Sequence, residues 1–175
     1  MSREYPFEQS FDPIRKLQYI NSDPSVMHCH HYSAIFTKLA LELKDSGDTR
    51  YLTEAMEEAS YIALRKVFIT EALESTAERR SFIEQYYRLT GLGDLSIRDC
   101  SAAGGSITLR RSHIDEGWVK KYGKSSTPVN FVTAGFLAGA FAAIFNKHLR
   151  HFQVEETASM ATGKLTGEFL VKARS

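Results

Sequence analysis

The first half of the chain has the spacing of amphipathic helices. Between residues 49 and 73, apolar positions recur every three or four residues, which predicts a helix with one apolar face. The residues of that face are Leu52, Met56, Ala59, Ala63 and Val67. An Asp-Pro start at 23–24 predicts an earlier helix that runs to about Lys44. The capping-box sequence STAE at 75–78 predicts a third helix, which ends near Gly91.

The second half of the chain changes to alternating apolar and polar positions. The segments LSIRDCSA and SITLRRS flank Gly104–Gly105 and predict a hairpin, and a second hairpin turns near 163–164. A short helix and an apolar helix are predicted between these hairpins. Helices followed by hairpins indicate an α+β domain, with a four-stranded antiparallel sheet of two hairpins and helices packed on one face.

The length of 175 residues suits one domain that spans 1–175. We expect an N-terminal arm at 1–21 and a helical part at 22–91. Residues 92–175 then supply a hairpin, a short helix, the long apolar helix and the closing hairpin.

Charge and cysteine content narrow the class of protein. Lys and Arg number 22 against 21 for Asp and Glu, so the chain lacks the basic excess typical of a direct nucleic-acid partner. Two cysteines, Cys29 and Cys100, do not make a disulfide framework. The charged N-terminal segment lacks the apolar core of a signal peptide, so a cytoplasmic location is expected.

One apolar stretch, 129–145, has the composition of a membrane span. It contains no charged residue, but its 17 residues reach only the short end of the range that a spanning helix needs. Gly135 and Gly139 form a GxxxG spacing, which serves any helix that approaches another backbone closely. Because the rest of the chain is amphipathic, we expect a buried core helix and no membrane span.

The sequence MHCHH at 27–31 permits three interpretations. On a helix, His28 and His31 share the stripe expected to face the core, and they could hold one metal ion with a further ligand from elsewhere. Cys29, near a helix start that lowers a thiol pKa, is a candidate nucleophile with His28 or His31 as its base. The third interpretation is a set of partly buried polar residues at a pocket rim or dimer interface. Since no further ligand can be named, no metal site is predicted.

Between about Ser112 and Val171, three segments follow in an order shared with a known family. They are SHIDEGWVKKYG, PVNFVTAGFLAGAFAAIF and VEETASMATGKLTGEF. This order resembles the small-molecule-binding domain family named after bacteriochlorophyll 4-vinyl reductase. That family includes the sensor domains of phenol- and xylene-responsive transcription activators. The resemblance implies a domain that encloses a small molecule, and we expect it to be a homodimer.

The resemblance also implies a zinc site of three cysteines and a glutamate, from which this chain departs. Glu156 keeps the glutamate, whereas the three cysteines fall on Asn130, Ser159 and Gly167. A closed zinc site needs about four good donors. Structural zinc is therefore predicted to be absent, the closing hairpin is predicted to be held by packing and hydrogen bonds, and no other cofactor can be named.

Candidate ligand-binding residues come from the same resemblance and from the apolar helix. His113 falls where the phenol sensors carry a ligand-contacting tryptophan, which implies a ring nitrogen for a polar ligand group. The alternative is that His113 caps the short helix. An apolar wall with a few polar groups is usual for a small-ligand pocket. The remaining candidates are His28, His31, Trp118, Asn130, Phe131, Thr133, Leu137 and Glu156.

Three functions remain open from the sequence. The leading hypothesis is a cytoplasmic small-molecule-binding protein that encloses a largely hydrophobic or aromatic ligand in a sensory or accessory role. The second is an enzyme on the same scaffold, with His28, Cys29 and His31 as metal ligands or acid–base groups. The third is a ligand-free scaffold subunit.

Overall fold

The computed structural model describes residues 4–5, 7–21, 23–26, 29–42 and 49–174. Its elements, in chain order, are β1 (Gln9–Asp12), β2 (Leu17–Ile20), β3 (Asp23–Ser25), α1 (His30–Glu42), α2 (Thr49–Thr70), α3 (Thr76–Leu89), β4 (Gly93–Ser101), β5 (Gly104–Ser112), α4 (His113–Tyr122), α5 (Phe131–Ile144), β6 (Phe152–Ala158) and β7 (Gly167–Ala173). A short 3₁₀ helix, Met160–Thr162, lies between β6 and β7.

The predicted four-stranded antiparallel sheet is confirmed. Its strand order is β4-β5-β7-β6, so the two predicted hairpins join through the pairing of β5 with β7. Ile107 lies opposite Phe169 in that ladder, and both side chains are buried. The inward residues of the sheet belong to the same core as α3 and α5. They are Leu95, Ile97, Ile107, Leu109, Phe169 and Val171.

The apolar stretch forms a buried helix, as predicted. Every residue of α5 from Thr133 to Ile144 is buried. A Cβ atom at Gly139 would overlap the Ser60 Oγ and the Glu57 carbonyl oxygen of α2. Gly135 and Gly139 therefore let the backbones of α5 and α2 lie in direct contact. Within the described part of the chain, no helix combines the length and apolar character that crossing a membrane requires.

The N-terminal region differs from the prediction. The predicted N-terminal arm at 1–21 contains β1 and β2, and they form a three-stranded antiparallel sheet with β3. The helix predicted to begin at Pro24 begins at His30, and Pro24 lies in β3 opposite Tyr19. The residue before a proline favours extended backbone, and an edge strand tolerates the missing N–H. Both conditions hold in β3, so the same Asp-Pro pair serves a strand.

Helix α1 also presents a different face to the core from the one predicted. Its buried residues are small: Ser33, Ala34, Thr37 and Ala40. His31, on the stripe predicted to face the core, is exposed, and Ile35 and Leu39 on the same side of the helix are exposed by 42% and 49%. The reason is close packing against α4, where a Cβ atom at Gly117 would overlap His30. Small side chains permit that approach, and the larger ones are left outside.

We predict that Gly139→Leu lowers the free energy of unfolding by on the order of 1–3 kcal/mol, because the new side chain meets the backbone of α2. Urea denaturation measures the change. Ala55→Leu is the matched control, since Ala55 lies on the exposed side of α2. Equal stability of the two variants would show that α5 and α2 separate at no cost.

Candidate functional site

Five polar residues meet where α4 and α5 begin and the closing hairpin turns; we call them the polar cluster. They are Ser112, Asp115, Asn130, Glu156 and Ser159. Asp115 is 1% exposed and lies at the centre. Its Oδ1 accepts hydrogen bonds from Ser159 Oγ at 3.0 Å and from the Ala161 N–H at 3.1 Å. Its Oδ2 accepts from Asn130 Nδ2 at 2.6 Å and from the Ser112 hydroxyl.

Helix capping brings these side chains together. Ser112 is the N-cap of α4, and its Oγ accepts from the Asp115 N–H at 3.0 Å. Asn130 is the N-cap of α5, and its Oδ1 accepts from the Thr133 N–H at 3.1 Å. Ser and Asn are preferred at this position because their side chains satisfy a free N–H of the first turn. Two neighbouring N-caps therefore share the Asp115 carboxylate.

Glu156 reaches the polar cluster from β6. Its Oε2 accepts from the Asn130 N–H at 3.0 Å, whereas its buried Oε1 has no hydrogen-bond partner in the described part of the chain. Burial, with a smaller contribution from the nearby Asp115 carboxylate, raises the pKa of Glu156 to about 7 against the lowering effect of hydrogen bonds from Ser159 and Asn130. Glu156 therefore exchanges a proton near neutral pH.

The remaining candidate ligand-binding residues of α4 and α5 lie in several different surroundings. Thr133 shares a hydrogen bond of 2.7 Å with the hydroxyl of buried Tyr87. Leu137 is fully buried in the main core, and Phe131 is half-buried. Trp118 packs in a small separate cluster with Val129 and Ala161. Asn130, Thr133 and Glu156 thus come together, while Trp118 and Leu137 lie in different apolar surroundings.

Sequence reasoning missed Asp115 and Ser112, which dominate the polar cluster. The available signal was the spacing Ser112-x-x-Asp115, which matches the capping pattern recognised at 75–78. The alternative that His113 caps the short helix is wrong, because the N-cap is Ser112. Tyr87 was missed as well, since nothing in its local sequence separates it from other helical tyrosines.

The histidine cluster is arranged differently from the prediction. His28 lies outside the described residues, and His31 is exposed. His30 packs against His113 with ring centroids 5.9 Å apart and against His31 at 4.5 Å. Among the residues that the structure describes, no three His, Cys, Asp or Glu side chains are grouped to hold a metal ion.

Cys29 is exposed and directly precedes α1. Hydrogen bonding from the Tyr32 backbone N–H is the main cause that lowers the pKa of its thiol. A smaller opposing effect comes from desolvation. The position fits the predicted activation of a thiol at a helix start.

A cleft of about 490 Å³ opens between the N-terminal sheet and the start of β4. Its lining is mixed. The apolar side chains are Phe7, Ile20, Val26, Leu89 and Leu92, and the polar ones are Glu8, Gln9, Gln18, Ser25, Thr90 and His113. The His113 backbone N–H donates to the Leu92 carbonyl at 3.0 Å, which fixes the first turn of α4 beside the cleft. His113 is therefore next to both the cleft and, through Ser112, the polar cluster.

Solved structures of known proteins share this architecture. The phenol-responsive sensory domain of the transcription activator PoxR, in a structure with phenol, matches with a TM-score of 0.74 and 13% identity, over 94% of this chain and 84% of that one. The chain shares its fold with this sensory domain. A vinyl-4-reductase family protein from Methanocaldococcus jannaschii matches with a TM-score of 0.58 and 23% identity, over 86% of this chain and 85% of that one. No protein-family model and no curated protein matches the chain.

This shared fold confirms the resemblance seen in the order of the C-terminal segments. It also extends that resemblance to the N-terminal helices, since the matches cover most of the chain. At these identities the likeness establishes the fold, and function has to be argued from the residues of this chain.

We predict that the protein loses stability as pH rises through about 7, because Glu156 has a raised pKa when folded and an ordinary value of 4.5 when unfolded. Folding favours the protonated carboxyl of Glu156. Its contribution to stability is therefore complete at pH values below the unfolded pKa. Between about pH 5 and pH 8 the loss amounts to as much as about 3 kcal/mol. Thermal melts across this range measure it.

Glu156→Gln should flatten this pH profile, because the amide imitates the protonated acid at every pH. Glu155→Gln is the matched control, since Glu155 is the exposed neighbour on β6. If the stability of Glu156→Gln depends on pH as steeply as that of Glu155→Gln, Glu156 does not cause the pH dependence.

Proposed function

We propose that the protein binds a small, largely hydrophobic or aromatic molecule in a sensory or accessory role in the cytoplasm. The observation that carries this proposal is the cleft with apolar side chains in its lining and His113 at its edge, in a fold shared with a phenol-responsive sensory domain. Small-ligand sites combine apolar side chains with polar groups that orient the ligand.

The chemistry of the cleft favours an aromatic ligand that carries one polar group. Phe7 lines the cleft and stacks on Phe82, with ring centroids 6.0 Å apart. Aromatic walls of this kind add offset or edge contacts to ordinary apolar burial. His113 then supplies a ring nitrogen for a hydroxyl or carbonyl group, as the family resemblance implied.

We assign the ligand to this cleft and not to the predicted stripe on α5. Asn130 and Thr133 already bond to Asp115 and Tyr87, and Leu137 is in the core. A ligand against that stripe would have to displace these partners, at a cost of about 1–3 kcal/mol for each buried polar group left unpaired. The cleft offers the same chemistry without this loss.

A homodimer is part of the proposal. Four large apolar side chains lie on the exposed side of α1, which is more than a scattered surface pattern. They are Tyr32, Ile35, Phe36 and Leu39, exposed by 54%, 42%, 45% and 49%. A second copy of the chain would cover this surface, and the same surface would serve the scaffold alternative.

The lowered thiol pKa of Cys29 favours the enzyme alternative as a second candidate. We expect the double variant His28→Ala, His31→Ala to bind phenol as the native chain does and to remain folded, because the exposed His31 does not line the cleft. Calorimetry with phenol, together with metal analysis, distinguishes a ligand-binding protein from an enzyme. Loss of a tightly held metal and of all turnover would favour the enzyme, and unchanged binding would leave these histidines without a functional role.

For the cleft itself, we predict that His113→Leu weakens phenol binding by about 5-fold to 150-fold, since the polar group of the ligand loses its partner. Titration calorimetry measures the affinity. His148→Leu is the matched control, because His148 is exposed and does not line the cleft. Phenol binding that is equal in both variants, or absent in the native chain with no organic molecule in native mass spectra, would contradict the proposal.

A further inference from the structure

The residues at the positions implied for zinc do not fit that metal. Gly167 offers no side chain, and a Cβ atom there would lie 3.3 Å from the Leu109 side chain. The side chains of Asn130 and Ser159 donate hydrogen bonds to Asp115. Only Glu156 keeps an oxygen without a hydrogen-bond partner in the described part of the chain, and a closed zinc site needs four donors, usually sulfur or nitrogen.

Asp115 occupies the position between the same segments that such a metal would join. Its two oxygens accept from the start of α4, the start of α5 and the turn of the closing hairpin. Four donors surround a carboxylate that is 1% exposed. A buried carboxylate is tolerated when its lone pairs are bonded in this way, and hydrogen bonds to a charged group are stronger than neutral ones.

The start of α4 also suits a negative group. Asp115 lies in the first turn of the helix, where free N–H groups and the helix dipole favour an anion. Its own N–H bonds to Ser112 Oγ, so the side chain is fixed by the cap that it completes. The cap at the start of α4 therefore positions the aspartate independently of the hairpin.

We propose that the Asp115 carboxylate replaces a structural zinc ion in this chain, and joins the starts of α4 and α5 to the closing hairpin through hydrogen bonds alone. The domain is then folded and stable without any metal, and Asn130 and Ser159 act as hydrogen-bond donors where cysteines would act as ligands. This inference concerns how the fold is held, so it stands whether or not the cleft binds phenol.

The first test uses the purified native chain. Elemental analysis should find zinc well below one atom per chain, and a strong chelator should leave the melting temperature unchanged. One zinc per chain, or a melting temperature that falls on chelation, would overturn the proposal.

The second test uses Asp115→Asn. An amide leaves two of the four donors without an acceptor, whichever way it faces, so the melting temperature should fall by about 4–10 °C. In the further variant Asp115→Ala, which has no side-chain oxygen, hydrogen exchange at the Ala161 amide should accelerate at least 10-fold, because that N–H loses its acceptor. Glu116→Gln on the exposed side of α4 is the matched control and should change neither quantity.

A milder variant covers the case in which Asp115→Asn does not fold. Ser159→Ala removes one of the four donors to Asp115, so its melting temperature should fall relative to that of Glu116→Gln. A melting temperature equal to that of the control would refute the role of Asp115.

Discussion

The burial of α5 is the constraint on which the rest of the structure depends. A helix that begins inside a protein cannot leave its first N–H groups to water, so they need partners from the chain itself. Asn130 provides one partner as the N-cap, and Glu156 accepts from the Asn130 N–H in turn. The polar cluster is thus the local cost of placing the most apolar helix of the chain at its centre.

Local signals in the sequence predicted a large part of this fold. The apolar helix, the two hairpins and the cap at Ser75 depend on neighbouring residues, and each was confirmed. The face of α1 depends on a distant residue, Gly117, which lets the helices approach and selects the small residues for burial. The N-terminal sheet was missed because Asp-Pro suits a helix start and an edge strand equally.

The candidate site was harder to predict than the fold. Asp115 and Glu116 are adjacent acids in the first turn of α4, yet Asp115 is buried and Glu116 is exposed beside Arg111. Only the packed structure separates them. Asn130 and Glu156 were named from the family resemblance, but as ligand contacts, whereas their bonds go to the protein. Apart from the adjacent histidines, nothing in the sequence indicated that His30 would pack against His113.

The strand order of the four-stranded sheet has a consequence for folding. Its inner strands, β5 and β7, are separated along the chain by α4, α5 and β6. During synthesis the β4–β5 hairpin emerges first and forms from neighbouring residues, but its inner edge stays open until β7 arrives. Such non-local pairing is slow because the intervening chain must be ordered first. The edge of β5 is therefore open to pairing with another molecule until β7 arrives.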